Sequence, residues 1–114
     1  MNEEIKKYKE IKKYDKNKNL IHIKWPDGFE FWREYDENNN RIHYKDTYGE
    51  ESWFKYDENN REIYYKDTYG EESWYEYDKN NNKIDITKEK TKQKIKQELY
   101  LNIKRSNRFE IMDI

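Results

Sequence analysis

A 21-residue period organises the middle of this chain and restricts its fold more than any other feature. Tyr14-Asp15, Tyr35-Asp36, Tyr56-Asp57 and Tyr77-Asp78 recur in step. So do Gly28, Gly49 and Gly70, Trp32, Trp53 and Trp74, and Ile21, Ile42, Ile63 and Ile84. Self-similarity at a fixed spacing marks one supersecondary unit, repeated and stacked on its neighbours. Such arrays present extended surfaces more readily than they enclose catalytic pockets.

Each unit reads as two strands. Arg41 to Asp46 alternates apolar and polar residues, the pattern of a half-buried strand. Thr47-Tyr48-Gly49 turns the chain, Glu50 to Tyr56 returns it, and Asp57-Glu58-Asn59-Asn60 turns it again. The third unit repeats this from Arg61 to Tyr77, and the first from Leu20 to Tyr35 with Pro26-Asp27-Gly28 as its turn. Short turns between consecutive strands give an antiparallel meander. The expected fold is mostly β: a meander sheet of repeated hairpins, about seven or eight strands, with a C-terminal α-helix, in one domain spanning 1–114. Tyr8 to Tyr14 aligns with Phe29 to Tyr35 and reads as an edge strand, with a helix as the alternative for residues 1–13. Ile84 to Ile86 closes the sheet. From Thr87, read as the N-cap, to about Arg105 the chain reads as a helix with Ile95, Leu99 and Ile103 in one stripe. The alternation of Lys88, Lys90, Lys92, Lys94 and Lys96 leaves an extended segment as the alternative. Phe109, Ile111, Met112 and Ile114 are expected to dock.

Charged residues make up 43% of the chain, a share typical of disorder, but aromatics make up 18% and sit at fixed repeat positions. With no Val, no Ala and only 3 Leu, the core must be thin and aromatic. The absence of Cys excludes disulfide and thiolate chemistry, and no apolar run suits a signal peptide or membrane span, so a cytoplasmic protein is expected. Residues 14–86 carry 11 basic and 18 acidic side chains, whereas both flanks are net basic. This asymmetry is an argument about partners.

Strand alternation sorts the repeat into two faces. If Tyr35 pairs with Ile42, one face collects Ile21, Ile23, Phe31, Tyr35, Ile42, Tyr44, Phe54, Tyr56, Ile63, Tyr65, Tyr75, Tyr77, Ile84 and Ile86. This is the expected core face. The C-terminal helix is its expected cover, and a homodimer packing these faces together is the competing one. The opposite face collects Trp32, Trp53 and Trp74 among Glu30, Glu34, Glu51, Lys55, Glu72 and Glu76. His22, Lys24, Arg41, His43, Lys45, Glu62, Tyr64 and Lys66 join them there. Large amphipathic rings set among charges resemble an interface with hot spots. The alternative is that each Trp packs flat on cross-strand Lys and Glu stems and only holds the sheet together. The candidate binding residues are Trp32, Trp53, Trp74, Glu30, Glu34, Glu51, Glu72, Glu76, His43 and Tyr64.

Other chemistry fails on spacing. Asp15, Asp36 and Asp78 open D-x-N-x-N runs that imitate a calcium loop. From Asp36, however, position 6 is Arg41 and position 12 is Thr47 where Gly and Glu are needed. Turn formation explains these residues instead. His22 and His43, without a third ligand, do not make a zinc site. There is no nucleophile elbow and no glycine-rich phosphate loop. The expectation is a non-enzymatic protein with no cofactor and no metal.

The run Tyr35-Asp36-Glu37-Asn38-Asn39-Asn40-Arg41-Ile42, followed by Gly49 and then Tyr56-Asp57, resembles the YD repeat of Rhs-type and teneurin-type proteins. The resemblance covers residues 14–86. It implies β-hairpin units and carries over no catalytic residue, since in that family the activities sit in other domains. That family usually has Gly where Lys18, Asn39, Asn60 and Asn81 stand here. Its long arrays wrap into shells, whereas three units make an open sheet, which suggests reuse as a binding surface.

The functional expectation is a small inhibitor or adaptor of the phage or mobile-element type, such as an anti-CRISPR or toxin-neutralising protein. It would bind a protein partner with a basic surface, such as a nucleic-acid-processing enzyme, through an acidic, Trp-bearing face. The alternatives are a glycan-binding or structural repeat domain, and a nucleic-acid binder using the aromatic sheet and the Lys-rich tail. No membrane contact is expected.

Overall fold

The computed structural model describes residues 9–112, with side chains described as far as residue 107. Eight strands follow in chain order: β1 (Ile11–Tyr14), β2 (Leu20–Lys24), β3 (Glu30–Tyr35), β4 (Arg41–Asp46), β5 (Glu51–Tyr56), β6 (Glu62–Asp67), β7 (Glu72–Tyr77) and β8 (Lys83–Asp85). One helix, α1 (Thr87–Met112), completes the chain. The strands are ordered β1 to β8 as in the sequence, the antiparallel meander that the repeat predicts. Contacts gather into two units, Met1–Ser73 and Trp74–Ile114, with the boundary inside β7. Tyr8, expected to begin the edge strand, lies outside the described residues, and β1 begins at Ile11. The side chains of Phe109, Ile111, Met112 and Ile114 also lie outside the described residues.

All seven loops between strands share one backbone scheme. In residues 36–40, Asp36 N–H donates to the Asn40 carbonyl (2.9 Å) and Asn39 N–H donates to the Asp36 carbonyl (3.1 Å). In residues 46–50, Asp46 N–H donates to Glu50 (3.0 Å) and Gly49 N–H to Asp46 (3.2 Å). The fourth residue of each loop has positive φ: Gly28, Gly49 and Gly70 at 79° to 95°, and Lys18, Asn39, Asn60 and Asn81 at 63° to 68°. This is the three-residue hairpin loop whose last residue is left-handed. The 21-residue unit is therefore two half-units with the same turn. Their first loop residues, Asp15, Trp25, Asp36, Asp46, Asp57, Asp67 and Asp78, lie alternately 10 and 11 residues apart.

The loops fix the register, and differently from expectation beside the four loops that open at Asp15, Asp36, Asp57 and Asp78. At the first of these, Tyr14 pairs with Leu20 after a shift between Lys13 and Tyr14. Beside the asparagine loops the pairing shifts between Glu34 and Tyr35 and between Lys55 and Tyr56. Tyr35 then pairs with Arg41, not Ile42, and Tyr56 pairs with Glu62. The bulge sets two residues of one strand against one of the other. Arg41 and Glu62, expected on the Trp face, are thereby turned to the aromatic face. There the Arg41 guanidinium lies 5.3 Å from the Phe54 ring centre and 5.8 Å from that of Tyr44. Between β7 and β8 there is no shift: Tyr77 pairs with Lys83 and Glu76 with Ile84. Ile84 thus shares a face with Glu76, not with Tyr75 and Tyr77, and is 44% exposed. Lys83 takes the place expected for it, with Nζ 3.8 Å from the Tyr75 ring centre.

The core is as thin as the composition implies. Ile23 and Phe31 are the buried apolar side chains among the described residues. On the aromatic face of the first unit the rings pack in tilted pairs, Phe31 on Tyr44 (5.8 Å) and Phe54 on Tyr65 (5.3 Å). Arg33 lies over Phe31 at 4.5 Å, with its Nε buried and unpartnered among the described residues. Arginine planes thus roof the rings, gaining cation–π attraction and stem burial together.

In the second unit, the Asp85 carboxylate accepts the Thr87 N–H (2.9 Å) at the start of α1, and its pKa is held below the usual range by its bonds from Thr87. Thr87, expected to be the N-cap, instead accepts the Trp74 N–H on Oγ1 (3.0 Å). The Lys88–Lys96 run is helical, not extended. Ile95, Leu99 and Ile103 stand 52%, 57% and 60% exposed along the helix.

Candidate functional site

The register places the Trp-bearing face in rows. Lys13, His22, Trp32, Lys45 and Glu51 form one row across β1 to β5. Glu34, His43, Trp53 and Lys66 form the next across β3 to β6. Trp32 and Trp53 therefore each have a His on one side and a Lys on the other. The His22 ring stacks on Trp32 with centres 5.2 Å apart and planes 7° apart. The His43 ring stacks on Trp53 at 5.6 Å and 26°. A cross-strand His ring stacks on each of Trp32 and Trp53, a partner not considered from the sequence, and a Lys pairs with each Trp from the other side.

A carboxylate one loop away fixes each of these rings. His22 Nε2 lies 2.7 Å from Glu30 Oε2. His43 Nε2 lies 2.6 Å from Glu51 Oε2, and its Nδ1 lies 3.1 Å from Glu34 Oε1. Carboxylates only accept, so both His43 contacts are hydrogen bonds when both ring nitrogens donate. In the third repeat Tyr64 takes the His position and donates to Glu72 Oε2 (2.5 Å). Burial, and then that bond, push the Tyr64 hydroxyl up to about 12. Lys55 Nζ sits 5.1 Å from the Tyr64 ring centre. Trp32 and Trp53 remain 38% and 37% exposed. In the second unit Trp74 is half-buried and Glu76 is exposed.

The structure thus brings Trp32, Trp53, Glu30, Glu34, Glu51 and His43 into one connected set, with Tyr64 and Glu72 as its third copy. It also relocates the charge. Lys13, Lys24, Lys45, Lys55 and Lys66 are all exposed and share this face with Glu30, Glu34, Glu51 and Glu72. The face is of mixed sign, and the acidic excess of the repeat body lies elsewhere.

Much of it lies on the rim formed by residues 25–30, 46–51 and 67–72, which adds Asp27, Asp46, Glu50, Asp67 and Glu71 to the Glu30, Glu51 and Glu72 already named and holds no Lys or Arg. Asp46, 5% exposed, accepts the Tyr44 hydroxyl on Oδ2 (2.9 Å) and the N–H groups of Tyr48 (2.9 Å) and Glu50 (3.1 Å) on Oδ1. Asp67 repeats this with Tyr65, Tyr69 and Glu71. Burial, and then these bonds to Asp46 and Asp67, push the hydroxyls of Tyr44 and Tyr65 up to about 12. The loop tips carry the most exposed rings of the first unit, Tyr48 at 80% and Tyr69 at 77%, and Trp25, the first residue of its loop, is 43% exposed. Sequence reasoning read Tyr48 and Tyr69 only as turn. The available signal was that the residue before each loop glycine belongs to no strand and must stand at the edge.

The other rim, residues 15–19, 36–40 and 57–61 of the first unit, closes on itself. Asp36 Oδ1 accepts the N–H groups of Asn38 and Asn40 (2.9 Å each), and Asp15 and Asp57 do the same in their loops. These backbone bonds hold the carboxyls of Asp15, Asp36 and Asp57 below the usual carboxylate range. Asn19 Nδ2 donates to Asn39 Oδ1 and Asn40 Nδ2 to Asn60 Oδ1, both 2.8 Å, so a ladder ties loop to loop.

Among the described residues no group of three or more His, Asp, Glu or Cys side chains stands where it would hold a metal ion, and no helix is long and apolar enough to cross a membrane. No protein-family model and no curated protein matches the chain.

Proposed function

We propose that this chain is a non-enzymatic protein-binding module, acting as an inhibitor or adaptor, and that it meets its partner with the Trp-bearing face. The observation that carries this reading is the state of Trp32 and Trp53. Each ring is more than one-third exposed, yet is held flat by a stacked His that is itself fixed by a Glu. A pre-ordered aromatic anchor loses little side-chain freedom on binding, which is what a hot-spot residue requires. The mixed charge around the rings suits a partner with both signs at its contact. Lys18, Asn39, Asn60 and Asn81, which stand where YD arrays usually carry Gly, are the non-glycine residues with positive φ among the described residues.

Affinity capture from the native host with Trp32→Ala/Trp53→Ala beside the parent chain tests this. Loss of the captured protein with an unchanged circular dichroism spectrum supports it, and undiminished capture contradicts it. One observation favours a second reading, single-stranded nucleic acid: the five exposed lysines beside the rings. Stacking on Trp with phosphate–Lys contacts would then give affinity that falls steeply with salt, which a filter-binding titration measures.

A further inference from the structure

We infer that the rim of residues 25–30, 46–51 and 67–72 is a second binding surface, and that it takes arginine or lysine side chains of a basic polypeptide segment. Three independent features converge there. The first is aromatic exposure: Tyr48 and Tyr69 stand out from successive loop tips, Trp25 is exposed at the first residue of the loop before them, and Phe29 joins Trp25 (5.2 Å) to Tyr48 (5.0 Å) in one run of rings. The loops themselves close through their backbones and through Asp46 and Asp67. The second is a notch of about 190 Å³, walled by Tyr65 and Tyr69 and edged by Glu50, Glu51 and Asp67. Glu50 commits one oxygen to the Tyr69 hydroxyl (3.3 Å) and Glu51 one to His43, and among the described residues no partner meets the second oxygen of either. The third is charge: Asp27, Asp46, Glu50, Asp67 and Glu71 add five carboxylates to the three Glu shared with the Trp-bearing face, and the three segments hold no cation.

A guanidinium or ammonium lying between ring faces and free carboxylate oxygens gains cation–π attraction and charge-assisted hydrogen bonds at one place. The repeat presents an equivalent Tyr and Glu 21 residues on, so an extended basic segment would meet successive loops in register. This surface does not require the Trp-bearing face to bind anything.

Fluorescence anisotropy with short labelled peptides, one arginine-rich, one lysine-rich and one glutamate-rich, tests it on the full chain. The two basic peptides bind and the acidic one does not. Tyr48→Ser/Tyr69→Ser weakens binding about tenfold, and Glu50→Gln/Glu71→Gln does the same, each loss equivalent to about 1.4 kcal/mol. Trp32→Ala/Trp53→Ala leaves it unchanged, so this proposal and the Trp-face reading stand or fall separately. Glu37→Gln/Glu58→Gln removes the same charge from the opposite rim. Equal weakening there, or no effect of the tyrosine pair, would show attraction to net charge alone and overturn the proposal. A rim that binds calcium or a second copy of the chain, and no basic peptide, overturns it too.

Discussion

The two rims of the first unit are built from the same hairpin loop and put to opposite uses. On the asparagine rim, side chains turn inward: Asp15, Asp36 and Asp57 hold their own loops, and Asn19 and Asn40 reach the next loop. On the Asp-Thr-Tyr-Gly rim the buried Asp46 holds its loop from within, while Tyr48 and Glu50 stay outside. The difference lies at the fourth loop residue. Gly49 and Gly70 adopt positive φ without help, so the preceding position is free to hold a tyrosine. Asn39 and Asn60 adopt it at some cost, and their amides are recruited as ladder acceptors from the neighbouring loop. One rim spends its polar groups on the fold, and the other leaves aromatic rings and carboxylates for a partner.

Removing each rim's anchor separates the two most strongly. Asp46→Ala strands a partly buried tyrosine hydroxyl and two loop N–H groups, and is expected to cost about 3 kcal/mol. Asp36→Ala exposes its loop groups to water, and is expected to cost about 1 kcal/mol. Urea denaturation of both variants measures the gap, and equal losses would mean that the rims are anchored alike.

The fourth loop residue gives a smaller effect of both signs. A Cβ at Gly49 meets nothing within 4 Å, so Gly49→Ala should cost only the left-handed strain of that Cβ against its own backbone, about 1 kcal/mol. Lys18→Gly should gain about 0.5 to 1 kcal/mol by the same term. Thermal melts of the pair check this. A large loss for Gly49→Ala would point to a packing contact instead.

The least effect is on pH dependence, which divides along the same line. The carboxyls of Asp15, Asp36 and Asp57 titrate below their ordinary value. Their contribution to stability is present above about pH 4 and is lost as pH falls through the lowered folded values. The hydroxyls of Tyr44 and Tyr65 are raised to about 12. Their contribution is present below about pH 10 and is lost as pH climbs toward 12. Tyr44→Phe/Tyr65→Phe should flatten the alkaline limb of a stability–pH curve and leave the acid limb in place.

Much of this was legible in the sequence because strand period, loop and repeat all agree. The strands follow from alternation in segments such as Arg41–Asp46, and the turns from Asp-x-x-Gly and Asp-x-x-Asn. The register beside the asparagine loops was not legible. Whether Arg41 or Ile42 faces Tyr35 depends on one bulge residue, and both choices preserve the apolar alternation further along. The partners of Trp32 and Trp53 were hidden for a related reason. His22 and His43 look like tolerant surface positions, because Tyr64 replaces them in the next repeat. In the fold all three are flat rings bonded to Glu30, Glu51 and Glu72. The exposed Tyr48 and Tyr69 escaped notice because alternation says nothing about residues between strands.

NMR chemical-shift mapping of the labelled chain with its captured partner protein is the most direct test that this is a binding module working from one face and one rim. The expected result is perturbation of the Trp32 and Trp53 indole signals and of the Gly49 and Gly70 amides, with Asn39 and Asn60 unmoved. Perturbation confined to the asparagine rim or to α1 would contradict it.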